Sequence, residues 1–272
     1  MRVLVTGAAG HIGSVLSDRL SARHQMRGLD LAAWHAPEDC GAAYPGEFVV
    51  GDCADPAVAA AAVDGMDAVV HLAGVASEAA LPDILHGHVV GTAAILDAMV
   101  QHGVRRMVFA SSNHAVGMTP RPDSGPIGVD TPARPDTFYG VGKVAGEALL
   151  SLYADRYGVS SVAMRIGSFR QRPDSSRHLS TWLSYDDCTA MVDAALTADF
   201  EGFRVVYGIS ANRDAWWDLG PGRALGFEPR DDAAIVAPEL VTSRAPAIAI
   251  TRVGGEFTTA EFDRRPFDVT AT

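Results

Sequence analysis

Thr6-Gly7-Ala8-Ala9-Gly10-His11-Ile12-Gly13 joins the apolar run Arg2–Thr6 to the first helical pattern of the chain. Glycines spaced this way at Gly7, Gly10 and Gly13 permit a tight turn, close backbone approach to a bound pyrophosphate, and close packing of helix on sheet. The helix that follows offers unpaired N–H groups and the positive end of its dipole, with His11 and Ile12 at its start. A Gly-rich turn is often no more than a turn. Set between a first strand and a first helix, it predicts a dinucleotide site.

Outward from this turn, short β-branched runs alternate with longer helical patterns. Strands are predicted at Arg2–Thr6, Met26–Asp30, Glu47–Val50, Ala68–Leu72, Met107–Ser111, Ser161–Ile166 and Arg204–Tyr207, several of them apolar throughout, as in strands buried on both faces. Helices are predicted at His11–Ala22, Pro56–Val63, Leu81–His102, Asp136–Tyr157 and Tyr185–Ala198. The alternation gives an α/β fold, a Rossmann-type doubly wound parallel sheet with a small C-terminal substrate-binding portion. A single domain over 1–272 is expected, with 1–166 mainly cofactor-binding and catalytic and 167–272 contributing substrate-binding segments. Met118–Asp136, rich in Pro, Gly and Asp, reads as a loop over the site.

The chain has 272 residues, 48% hydrophobic and 20% charged, as in ordinary globular proteins. A formal net charge of −11 argues against nucleic acid or an anionic membrane as partner. No apolar run reads as a membrane span, and the opening residues carry no secretory pattern, so a cytoplasmic location is expected. Cys40, Cys53 and Cys188 are widely spaced, which fits a reducing compartment better than a disulfide framework or a metal site. Alternating Ile248 and Ile250, close to Gly254-Gly255, suggest a late strand at a subunit contact, and a homo-oligomer is expected.

Asp30 ends the second strand 17 residues past Gly13. A carboxylate there can accept hydrogen bonds from both adenosine ribose hydroxyls and repels a 2′-phosphate; Leu31-Ala32-Ala33 brings no arginine, so NAD is expected over NADP. Asp52 and Cys53 follow the third strand, where a short acid reaches the adenine. Leu72, Ala73, Gly74 and Val75 leave the fourth strand with small side chains that let backbone lie against a cofactor, and Ile166 at the sixth strand's end joins this set.

Tyr139 and Lys143 lie at i and i+4 on one helix face, with Asp136 as the expected N-cap. An adjacent ammonium stabilises a phenolate and draws tyrosine towards general-base chemistry. Taken alone, this pair commonly decorates helix surfaces; downstream of a dinucleotide turn it reads as catalytic. Ser112 follows the fifth strand at the carboxyl edge of the sheet, where its hydroxyl can hold a reacting oxygen. Ser111 reads as a strand-end hydroxyl bonded to its own backbone.

Together these motifs resemble the extended short-chain dehydrogenase/reductase superfamily over roughly the first 170 residues. More specific stretches appear in order: Ser111-Ser112-Asn113-His114, Arg134-Pro135-Asp136, Arg165-Ile166-Gly167-Ser168, Arg177-His178-Leu179-Ser180-Thr181-Trp182, Ser210-Ala211-Asn212 and Trp216-Trp217-Asp218. In this set the chain is similar to the uronate dehydrogenases, which oxidise glucuronate and galacturonate to aldarolactones with NAD. The resemblance implies that Tyr139 takes the C1 hydroxyl proton while Ser112 holds the oxygen. It further implies that Asn113, His114 and Ser168 bind sugar hydroxyls or the carboxylate, and that Arg177 clamps the carboxylate.

Departures stand at Ala76, where the family tends to carry Ser and Ser77 could substitute; at His88, where Asn is frequent; and at Gly142, where Ser is common. The competing reading is an NAD-dependent nucleotide-sugar epimerase or dehydratase. It needs a larger C-terminal portion than the 129 residues after Lys143, which must also complete the sheet. A cofactor-binding regulator without turnover would have no use for Tyr139 and Lys143 together.

Overall fold

A computed structural model describes residues 1–35, 43–241 and 251–267. Ile248 and Ile250, with the late strand expected there, and Cys40 lie outside the described residues.

The strands are β1 (Arg2–Thr6), β2 (Gln25–Asp30), β3 (Gly46–Val50), β4 (Ala68–His71), β5 (Arg106–Ser112), β6 (Ser160–Ile166), β7 (Ser168–Phe169), β8 (Trp182–Leu183) and β9 (Phe203–Gly208). Seven of them pair in parallel in the order β3-β2-β1-β4-β5-β6-β9. Each predicted strand lies within a residue of the observed one. The order reverses between β1 and β4, which opens a crevice beyond their carboxyl ends.

Alternation along β1 divides the core. Val3 and Val5 face α1 (His11–Leu20) and pack with Leu16, Leu20, Val192 and Leu196. Leu4 faces the opposite side and packs with Ala59 of α2 (Pro56–Val63), with Ile95, and with Leu150. All of these are fully or nearly fully buried, so both faces of the sheet are covered.

The segment predicted as one helix, Leu81–His102, is helical but not uniform. It comprises α3 (Leu81–Ile84), a π-helical turn (Leu85–Val90) and α4 (Gly91–Gln101). The run Leu81–Gln101 has the length and apolarity of a membrane span, contrary to the sequence expectation. Its Ile84, His88, Thr92, Ile95 and Met99 are buried within the protein, as in a core helix. α5 (Phe138–Tyr157) follows, then α6 (His178–Thr181) and α7 (Tyr185–Thr197).

The cap of α5 differs from expectation. Thr137, not Asp136, accepts the Gly140 N–H, at 3.1 Å, because the Asp136 carboxylate is bonded to His114 instead. Gly158, at φ +66°, ends the helix in the left-handed region that glycine tolerates.

Inside the sheet–helix layer, Glu147 accepts from Ser111 Oγ (2.6 Å) and from Arg165 Nε and Nη2 (2.9 Å each). The Ser111 hydroxyl therefore serves a buried side-chain network rather than its own backbone. Removing the carboxylate strands a buried guanidinium, a loss of about 3–5 kcal/mol. Glu147→Ala is thus expected to lower Tm by on the order of 10 °C, read by thermal denaturation; an unchanged Tm contradicts this role.

Beyond the sheet's carboxyl edge, Trp216, Trp217, Tyr207, Ile127 and Val253 form a separate apolar cluster. Asn212 Nδ2 donates to Trp182 O (2.7 Å) while its Oδ1 accepts from Ala233 N (3.0 Å), and Trp217 Nε1 donates to Ser180 O (2.8 Å). The Ser-Ala-Asn and Trp-Trp-Asp stretches thus fasten the C-terminal portion over the site.

Candidate active site

The crevice is a cleft of about 880 Å³. All the sequence-predicted cofactor residues line it: Gly7, Gly10, His11, Ile12, Gly13, Asp30, Asp52, Cys53, Leu72, Ala73, Gly74, Val75, Tyr139, Lys143 and Ile166. At one end the turn forms a cradle with no room for side chains. Gly7 has φ +70°, and a Cβ there would lie 2.8 Å from Ala73 N; a Cβ on Gly13 would lie 2.1 Å from Gly7 O. Asp30 Oδ2 accepts from Ala9 N (2.9 Å) and Oδ1 from Ala32 N (3.0 Å), which fixes the carboxylate at the cleft wall. A bare backbone cradle at a helix start beside a fixed carboxylate fits a dinucleotide.

Farther along, Asp52 pairs with His86 Nε2 at 2.9 Å, and both line the cleft. The Ala54 N–H and then His86 hold the Asp52 carboxyl below its ordinary value.

At the catalytic end Ser112, His114, Tyr139 and Lys143 line the cleft together with Ala76 and Ser77 of the loop after β4. Burial pushes the Tyr139 phenol up to about 12, with the nearby Ser112 hydroxyl pulling it down. Burial likewise drives Lys143 down to about 7. The lysine expected to lower the tyrosine thus resists carrying its own charge, because its burial penalises the ammonium, whose Nζ lies 5.4 Å from the Tyr139 ring centroid. Lys143, brought to about 7 by burial, is therefore the group of this pair that changes charge near neutral pH. Only a neutral Lys143 can take up the proton that Tyr139 passes on. Log kcat/KM for oxidation is therefore expected to rise with unit slope below pH of about 7 and level above it. Lys143→Met should displace that limb upward, towards the tyrosine's about 12; an unmoved limb assigns the titration elsewhere.

Three predicted substrate residues do not line the cleft. Asn113 is buried behind Ser112, whose hydroxyl reaches its Oδ1 at 3.4 Å. Ser168 Oγ bonds Thr181 Oγ1 at 3.0 Å. Arg177 Nη2 donates to Val253 O (2.8 Å), while its buried Nη1 has no hydrogen-bond partner among the described residues.

Other contributors were not legible in the sequence. Phe257 lines the cleft, its ring 4.3 Å from that of His114. Glu78 accepts from Phe138 N (3.2 Å) and Tyr139 N (2.9 Å), tying the loop after β4 to the start of the catalytic helix. Asp136 takes the His114 Nδ1–H at 2.7 Å, which leaves Nε2 as the ring's other nitrogen.

The two helix departures are connected. His88 Nε2 donates to Val75 O at 2.9 Å, and burial followed by the Lys143 charge lowers the ring to about 3, so it stays neutral. A Cβ on Gly142 would stand 3.0 Å from His88 Cβ and Cγ and 2.7 Å from Ile84 Cγ2. Glycine at 142 makes room for helix α3 and the imidazole behind Tyr139.

The fold, cradle and Ser–Tyr–Lys wall define an oxidoreductase-type dinucleotide site, and the chain belongs to the NAD dependent epimerase/dehydratase family, whose model matches residues 3–185. More narrowly, it is 38% identical over 263 residues to a uronate dehydrogenase of Pseudomonas putida, covering 95% of this chain and 96% of that one. A glucuronic acid dehydrogenase of Chromohalobacter salexigens superposes with a TM-score of 0.88 at 36% identity, covering 98% of each chain. A mutant uronate dehydrogenase of Agrobacterium tumefaciens in complex with NAD superposes with a TM-score of 0.86 at 37% identity, again over 98% of each.

Proposed function

We propose that the protein is an NAD-dependent uronate dehydrogenase, oxidising the C1 hydroxyl of D-glucuronate or D-galacturonate to the aldarolactone. The observation that carries the substrate is Arg177: a buried guanidinium whose Nη1 has no hydrogen-bond partner among the described residues, set behind the cleft wall beside the Asp136 carboxylate that holds His114. An unmatched buried donor is costly unless an anion completes it. The similarity to uronate dehydrogenases over nearly the whole chain supports the same anion.

NAD would be held by the Gly7–Gly13 turn, Asp30 and Asp52 and would accept the hydride from C1. Tyr139 removes the hydroxyl proton, and Ser112 donates to the reacting oxygen and steadies it as charge shifts. Lys143 shares the proton with Tyr139. His114, oriented by Asp136, together with Ser77 binds sugar hydroxyls, while Asn113 and Ser168 stand behind the wall, and Arg177, held at Nη2 by Val253 O, offers Nη1 to the carboxylate. Ala76 offers no hydroxyl, so any contact there falls to Ser77. A cytoplasmic location accords with the buried free thiols of Cys53 and Cys188. Assembly into a homo-oligomer is part of the same proposal, checked by light scattering.

The test is a substrate panel with NAD: glucuronate, galacturonate, and a nucleoside-diphosphate hexose. NADH is expected from one or both uronates. Turnover of the nucleotide sugar alone would establish the epimerase or dehydratase reading instead.

A further inference from the structure

Gly254 and Gly255, adjacent in the sequence and unassigned by the catalytic reading, lie where a strap of chain crosses the site. Residues 251–254 run antiparallel to 117–121. Arg121 N donates to Thr251 O (3.0 Å), Val253 N to Thr119 O (3.0 Å) and Gly254 N to Gly117 O (2.8 Å), while Arg252 Nη1 donates to Met118 O (2.7 Å). Val253 is fully buried in the tryptophan cluster. The strap is thus anchored to the loop over the site, and its backbone faces the two charged groups beneath it.

Both glycines touch those groups with bare backbone. A Cβ on Gly254 would stand 1.8 Å from Asp136 Oδ2, and one on Gly255 would stand 2.4 Å from Arg177 Nη1 and 2.9 Å from its Cζ. Gly255 also holds φ +59°. The Arg177 guanidinium is therefore set from several sides. Val253 O accepts Nη2, the Gly255 backbone lies against Nη1, and the charges of Asp136 and Glu256 favour its charged form against burial. Among the described residues Nη1 is left with no hydrogen-bond partner.

We propose that the Gly254-Gly255 turn is a specificity determinant. By bringing bare backbone onto Asp136 and Arg177, it holds the guanidinium where it reads a substrate carboxylate. This rests on the uronate assignment above. A guanidinium tied to Val253 O at Nη2 and presenting Nη1 to the substrate tolerates little displacement, so a methyl group at 255 should harm carboxylate binding and spare the chemistry at C1.

Gly255→Ala tests this, with Gly226→Ala as the control. Gly226 shares a positive φ, +89°, but a Cβ there meets nothing within 4 Å, so it isolates backbone strain from the contact with Arg177. For Gly255→Ala, the KM for the uronate is expected to rise tenfold or more (on the order of one lost charge-assisted contact). Its kcat, the kcat/KM for an uncharged hexose and the affinity for NAD should stay within about twofold, the range of an untouched site. Gly226→Ala should leave all four unchanged.

A double-mutant cycle with Arg177→Lys adds a second reading: if the turn acts through Arg177, the combined loss is no greater than that of Arg177→Lys alone. Should Gly255→Ala fail to fold, Gly255→Asn tolerates the positive φ while carrying the same Cβ and is read identically. Equal losses on the uronate and the uncharged hexose, an unchanged uronate KM, or an additive cycle overturns the proposal. Absence of wild-type activity on either uronate overturns the substrate assignment itself.

Discussion

Tyr139→Phe is expected to lower kcat for uronate oxidation by about 10³-fold, within the range for losing a positioned proton acceptor. The affinity for NAD should be unchanged. The substitution removes one hydroxyl and keeps the ring, which makes edge contacts with His88 (5.4 Å between centroids) and His114 (5.9 Å). The N-terminal cap of α5 depends on Thr137 and Glu78, which accept backbone N–H groups and not the phenol. The wall should therefore stay in place while the reacting proton has nowhere to go. Rates come from NADH absorbance and cofactor affinity from fluorescence titration. A variant retaining a tenth or more of the activity would remove Tyr139 from the mechanism.

Arg177→Met is expected to reduce kcat/KM for the uronate by about 10²–10³-fold, the consequence of removing one partner from a desolvated charge pair. Most of the loss should fall on KM, since the carboxylate lies away from the reacting carbon. Arg177→Lys should recover little, because an ammonium cannot match the planar fork that donates to Val253 O and a ligand together. Stability should change less than activity. Burial already lowers the Arg177 pKa, so replacing that charge with an apolar chain relieves a desolvation cost. A uronate KM unaffected by either substitution would place the carboxylate elsewhere.

Much of this was legible in the sequence because it depended on local pattern. The turn Gly7–Gly13, the strand-end Asp30 and the i, i+4 pair Tyr139–Lys143 each announce themselves through spacing, and all line the cleft. What escaped depends on contacts between distant segments. Phe257 meets His114 across 143 positions of chain, and Glu78 caps a helix that begins 60 residues later. Asp136 looked like a helix cap from its position, but a buried carboxylate one residue earlier than the true cap was better satisfied by His114.

Electrostatics was the other source of difference. Proximity on a helix face suggests that Lys143 draws a proton from Tyr139, but a dry wall penalises both charges and shifts the two groups in the unhelpful directions. Sequence spacing carries no information on that dryness. Catalysis at neutral pH then belongs to the pair rather than to an ionised tyrosine.

The most direct measurement follows the hydrogen. With glucuronate or galacturonate deuterated at C1 and unlabelled NAD, the reduced cofactor should carry the deuterium, and carbon NMR should show an aldarolactone formed in equal amount. Reduced cofactor without deuterium, or conversion of the sugar without net NADH, would contradict oxidation at C1.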